Sequence, residues 1–260
     1  MMNTLRPVLI SLLILTIACR RPSTQFAAML SPVSQVADYT RYLKAGDELV
    51  ALGNDPVWSL SINPSKGKLT VKLDNGDSLT TAIPERQTDS DGVIRYNTQV
   101  ESRRLNIVFR PDSCVDARAK QRYDYQVQVD ANGKNYMGCG VSLQKVALLQ
   151  DSWVLTQYQG HPVTVSGPTN DVPRLDISLT EGRVTGTTGC NRLNGTVKAD
   201  TRLIQFGPMA MTRMVCAGQA GTFETAFLNL LIQPLSYQVG EGTLTFLQNN
   251  KPIMTFKKVD

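Results

Sequence analysis

From residue 47 onward the chain is a succession of short stretches in which apolar positions alternate with polar ones, separated by turn-forming residues. In KLTVKL (68–73), Leu69, Val71 and Leu73 occupy every second place, the period of a strand with one buried face. VWSLSI (57–62), SLTTAI (78–83), VIRYNTQV (93–100), RLNIVF (104–109) and YDYQVQV (123–129) read the same way. DNGD (74–77) is a hairpin turn, because asparagine and glycine tolerate the positive φ values that such turns require. A second series runs through SWVLTQYQG (152–160), RLDISLT (174–180), RVTGTTG (183–189), GTVKAD (195–200), RLIQFG (202–207), LTFLQ (244–248) and NNKPIMTFKKV (249–259). Strands spaced about ten residues apart imply antiparallel barrels or sandwiches. One stretch departs from this pattern. In AGTFETAFLNLL (220–231), Phe223, Ala226, Phe227, Leu230 and Leu231 recur at helical spacing, with Thr222 available as N-cap. The expected fold is mainly β: two small antiparallel barrel-like or sandwich-like domains, the second with one packed helix.

The first residues follow a different rule. Arg6 precedes an apolar run from Val8 to Ala18, broken only by Ser11 and Thr16 and ending at Cys19. This is shorter than the roughly 20 residues that a membrane-spanning helix needs, but it suits a signal peptide. LTIAC (15–19) resembles a bacterial lipoprotein signal, in which cleavage precedes a cysteine that receives lipid. Lipidation of Cys19 would hold the protein on a membrane, and Arg20 in place of an inner-membrane retention aspartate points to the outer membrane, facing the periplasm, if the cell has two membranes. The expected organisation is a signal peptide over 1–18, a tether over 19–44, an N-terminal β-domain over 45–141 and a second domain over 142–260. VADYTRYLKAG (36–46) in the tether has the composition of a short helix, and SLQKVALLQ (142–150) offers no Pro/Gly linker, so the domains are expected to pack tightly.

Charge narrows the function classes. The chain carries 27 Lys and Arg against 22 Asp and Glu, a net +5 that falls to +4 once Arg6 is removed with the signal peptide. The basic residues are scattered, at most in pairs, without the patch and aromatic platforms of a nucleic-acid binder. The expected partners are the membrane, through the lipid anchor, and an envelope protein or cell-envelope component; nucleic acid is not among them.

Five cysteines occur, at 19, 114, 139, 190 and 216. With Cys19 lipidated, four remain, an even number suited to an oxidising compartment. Of three pairings, position favours Cys114 with Cys139 and Cys190 with Cys216, each within one half. Metal binding would want close C-x2-C spacing or several histidines; His161 is the one histidine, and no metal or cofactor is expected. His161 shows no nucleophile partner, Asp112 and Asp116 flank Cys114 as candidate acid/base carboxylates, and Met209, Met211 and Met214 read as core-filling thioethers rather than copper ligands. Trp58 and Trp153 read as core anchors. GTTGCNRLNGT (186–196) lacks both a dinucleotide fingerprint and a nucleophile elbow. It reads as a tight connection tied by a disulfide, with Gly189, Asn191 and Asn194 as the candidate ligand contacts.

Two resemblances add to this. GRVTGTTGCNRLNGTV (182–197), FGPMAMTRMVC (206–216) and ETAFLNLL (224–231), with Trp153 before them and LTF after, resemble the META (HslJ-like) domain family over about residues 145–258. That resemblance implies a compact antiparallel sheet with a helix, an envelope or stress-related role, no established reaction, and proximity of Cys190 to Cys216. GNDPVWSLSI (53–62), PDSCVDARAKQRYDYQVQV (111–129) and GKNYMGCG (133–140) resemble a small β-domain of envelope proteins, sometimes found beside a META domain. Asp55, Val57 and the CVDARAK segment depart from its usual pattern. The combined expectation is a non-enzymatic envelope lipoprotein with a structural, binding or stress-tolerance role. A periplasmic inhibitor or chaperone-like module, and an envelope-acting hydrolase, are the competing readings.

Overall fold

The alternation read from the sequence is realised as two nine-stranded antiparallel sheets. The computed structural model describes residues 36–259 except 117, 119, 164–170 and 217; residues 1–18, where a signal peptide is expected, and Cys19 lie outside the described residues. The first domain comprises α1 (Thr40–Ala45), β1 (Leu49–Asn54), β2 (Val57–Asn63), β3 (Lys68–Lys72), β4 (Ser78–Ala82), β5 (Gln87–Thr88), β6 (Ile94–Val100), β7 (Arg103–Arg110), β8 (Cys114–Asp116), β9 (Gln121–Tyr123), β10 (Tyr125–Ala131) and β11 (Lys134–Ser142). Its large sheet runs β4-β3-β2-β1-β11-β10-β7-β6-β5, with β8 and β9 forming a separate hairpin. The DNGD turn joins β3 to β4 as expected, with Gly76 at φ +88°. Leu69 and Val71 are fully buried between exposed Lys68 and Lys72, so the period of two does point the apolar face inward.

The second domain comprises α2 (Gln144–Ala147), β12 (Ser152–Tyr158), β13 (His161–Pro162), β14 (Arg174–Ser178), β15 (Arg183–Thr187), β16 (Arg192–Ala199), β17 (Leu203–Met211), α3 (Gln219–Leu231), β18 (Leu235–Gly240), β19 (Thr243–Gln248) and β20 (Lys251–Lys258). Eight of these strands close on themselves: the order β12-β14-β15-β16-β17-β18-β19-β20 returns to β12, with Trp153 opposite Lys258 and Tyr158 opposite Met254. Closure pairs the backbone groups that an open sheet leaves at its edges. The helix α3 adds Phe227 and Leu231, both fully buried, to the barrel core. Its N-cap is Gly218 at φ +60°, not Thr222, which lies one turn inside the helix.

Two apolar clusters hold the molecule together. One lies within the first domain and contains Trp58, Leu69, Val71, Ile107, Phe109 and Val127. The other fills the barrel and continues into the first domain through Tyr39, Val50, Tyr123 and Val141. The connection between the domains is part of that second cluster, since Leu143, Val146 and Leu149 are at most 1% exposed. Each such side chain contributes about 1.5–3 kcal/mol on burial. Val36, Ala37 and Tyr39 are buried as well, so the packed structure includes residues before 45 that the composition suggested were tether. Both tryptophans are 2% exposed, and each indole N–H donates to a backbone carbonyl, Trp58 to Met137 and Trp153 to Leu149, at 2.9 Å in both cases. Both expected disulfides are present: Cys114–Cys139 ties the β8–β9 hairpin to β11, and Cys190–Cys216 ties the β15–β16 turn to the segment before α3.

Candidate functional site

The stretch GTTGCNRLNGT forms the end of β15, a four-residue turn and most of β16. Its three glycines have three different causes. Gly186 has φ +156°, and a Cβ there would sit 1.9 Å from the Arg174 carbonyl oxygen. Gly189 has φ +89° in the turn itself, and Gly195 lies at a bulge against the Met209 side chain. The turn is closed by Thr188: its N–H donates to the Asn191 carbonyl (2.8 Å), and its hydroxyl oxygen accepts the Asn191 N–H (2.9 Å).

The side chain of Asn191, 3% exposed, fastens three segments together. Its Oδ1 accepts the Thr212 hydroxyl and the Met214 N–H, both at 2.8 Å. Its Nδ2 donates to Oε2 of Glu224 on α3 at 3.1 Å and to the Met214 carbonyl at 3.3 Å. Glu224 also accepts the Thr188 hydroxyl at Oε1 (2.5 Å), and its Oε2 lies 3.3 Å from Cys216 Sγ. Glu224 stands in the ETAFLNLL motif that carries the family resemblance, but local spacing assigns it no role. Only the fold brings it 36 residues back along the chain to Thr188.

Beside this network lies a cleft of about 240 Å³. Tyr158, Pro162, Pro173 and Phe223 form its apolar wall, His161 and Asp171 its exposed polar rim, and Gly189 and Cys190 part of its floor. The Tyr158 and Phe223 rings meet edge to face at 5.1 Å, and Phe223 stacks on the buried Phe227. Burial lifts the Tyr158 phenol above its usual range, so it stays a neutral hydroxyl.

The three candidate ligand contacts are thus separated. Gly189 lines the cleft, Asn191 is enclosed behind it, and Asn194 is exposed on β16 opposite Ala210 and Thr185. His161 pairs with Tyr158 across the β12–β13 ladder at the cleft rim. In the other domain Asp112 accepts from Gln126 at 3.0 Å, while the 6%-exposed Asp116 accepts from Asn54 and from the Arg118 N–H, so each has its own structural engagement. The methionines correct the core-filling reading: Met209 packs against the barrel core, but Met211 and Met214 are 38% and 46% exposed. They sit where β17 ends and the chain is held by the Asn191 amide rather than by apolar packing.

Residues 146–260 match the family model described as the META domain. Two solved structures are similar to parts of the chain. A protein determined by NMR shares 24% identity with TM-score 0.37, covering 44% of this chain and 94% of its own. An NMR structure of a protein from Burkholderia xenovorans shares 28% identity with TM-score 0.35, covering 45% of this chain and 88% of its own. A search of curated proteins finds no match. The turn, the helix carrying Glu224 and the closed barrel all fall within the matched residues, and a META domain therefore occupies the C-terminal half of the chain.

Proposed function

We propose that this protein is a non-enzymatic envelope lipoprotein, anchored through Cys19, whose META-domain cleft binds an apolar or aromatic group of an envelope component. The observation that carries the binding role is the cleft itself, an aromatic wall with a polar rim set against a turn held rigid by a disulfide. Rigid, mostly apolar concavities with a few polar groups are the usual form of ligand sites. Nearby polar groups already have structural tasks: the Thr188 hydroxyl and the Asn191 amide hold Glu224, and the amide also holds the Thr212 hydroxyl and the Met214 backbone. This supports binding over acid/base or nucleophilic chemistry. Barrel closure through β12 and β20 favours the cleft over strand addition as the META domain's mode of recognition.

Two experiments test the two parts of the proposal. Incorporating a photo-crosslinker at His161 in intact cells is expected to yield one reproducible adduct, lost when Gln219→Trp, at an exposed α3 residue that lines the cleft, fills it. An adduct pattern unchanged by Gln219→Trp would remove the cleft from the reading. For the anchor, Cys19→Ala is expected to abolish incorporation of a labelled fatty acid and to move the protein from the membrane to the soluble fraction. Continued labelling of the variant would rule out Cys19 as the lipid site.

A further inference from the structure

Glu224 is a partly buried carboxylate that, among the described residues, is held by two neutral donors and no cation. Its Oε2 lies 3.3 Å from Cys216 Sγ, and one ligand atom each from Cys190, Cys216 and Glu224 all fall within 4.8 Å of one another. In the disulfide form the sulfurs are bonded to each other and carry no charge. We infer that opening the Cys190–Cys216 disulfide converts this cluster into a binding site for a thiophilic divalent cation of the zinc type, with Cys190, Cys216 and Glu224 as its protein ligands. The inference concerns the turn itself and does not depend on what occupies the cleft.

The conversion balances with a dithiol as reductant. The dithiol supplies two electrons and two protons, the S–S bond breaks, two thiols form, and the dithiol becomes a disulfide. Binding of the cation then replaces the two thiol protons, released to solvent, with two metal–sulfur bonds; one Glu224 oxygen is the third ligand and a water the fourth of a tetrahedral set. Zinc–sulfur and zinc–oxygen bonds of about 2.3 Å and 2.1 Å place tetrahedral ligand atoms roughly 3.5–3.8 Å apart. The Glu224-to-Cys216 spacing is already close to that range, so the main adjustment is rotation of the sulfurs away from each other. The carboxylate is oriented in advance by Thr188 and Asn191, the kind of outer support that fixes a metal ligand. Cys190 lines the cleft, which gives the ion a route from solvent. Two thiolates beside a carboxylate would repel one another, so the sulfurs give up their protons together with binding of a divalent ion that offsets that charge.

The test uses the full chain carrying Cys19→Ala together with Cys114→Ser and Cys139→Ser, so that only one cysteine pair remains. Zinc binding is measured by competition with a chromophoric chelator before and after treatment with a phosphine reductant. One equivalent is expected to bind only after reduction. Cobalt in its place is expected to show thiolate charge-transfer absorption and tetrahedral visible bands. Glu224→Gln is expected to weaken zinc binding by about tenfold or more, with the thiol count and circular dichroism of the reduced protein unchanged. If Glu224→Gln fails to fold, Cys190→Ser replaces it and is expected to lose both zinc binding and the charge-transfer band. No zinc uptake on reduction, or uptake equal in the folded variant and its parent, would overturn the assignment.

Discussion

Trp153→Ala is expected to lower stability by about 3–5 kcal/mol, the cost of deleting a large aromatic from a close-packed interior. The side chain is 2% exposed, and its indole N–H is the donor to the Leu149 carbonyl at 2.9 Å, so truncation leaves both a cavity and an acceptor without that partner. Trp153 belongs to the cluster that runs from the barrel into the first domain through Tyr39, Val50 and Val141. The loss is therefore expected to reach both domains. The variant retains Trp58 as its only tryptophan, which lies in the other cluster, so its fluorescence reports on the first domain alone. In urea titrations the Trp58 fluorescence transition and the far-ultraviolet circular dichroism transition should move together to lower denaturant. A Trp58 transition left at the parent's midpoint would show that the shared cluster does not couple the domains.

Asn191→Ala is expected to cost about 2–4 kcal/mol, because it strands several partly buried partners at once and each such loss is typically about 1–3 kcal/mol. The amide holds the Thr212 hydroxyl, the Met214 N–H, the Met214 carbonyl and Glu224 Oε2. Its removal also frees the Met214 backbone and the Thr212 hydroxyl, on either side of the exposed Arg213. Trypsin should then cut after Arg213 faster than in the parent, with the fragments still joined through Cys190–Cys216 until reduced. Asn194→Ala, at an exposed position of the same motif, should stay within about 0.5 kcal/mol of the parent. Equal effects of the two substitutions would mean that the Asn191 network is not what secures the segment.

Much of the β-structure was legible because a strand with one wet face writes its period into the sequence. KLTVKL and RLNIVF are such strands, and each buries its alternate residues. LVALGN, which forms β1, has no such period, since Leu49 and Ala51 enter one cluster while Val50 enters the other. A strand buried on both faces reads as an uninterrupted apolar run. The segment before α3 misled for the opposite reason. Its methionines suggest interior packing, but its position is set by hydrogen bonds from Asn191, leaving Met211 and Met214 exposed.

The candidate site was legible only in pieces. GTTGCNRLNGT was recognisable as a tied turn because glycine and asparagine report on local backbone conformation, and Gly189 at φ +89° meets that expectation. The cysteine pairs could be favoured from their placement, one pair in each half, but which asparagine points inward and where Glu224 falls depend on neighbours 25 to 36 residues away. The sequence by itself determined the β class, most strand positions and the helix near 220–231, because periodicity and turn chemistry act over a few residues. Tertiary structure alone decided the closure of β12 onto β20, the core shared between the domains and the meeting of Asn191, Glu224 and the disulfide beside a cleft. Those contacts form when elements distant along the chain bury common surface, and no local pattern encodes which elements will meet.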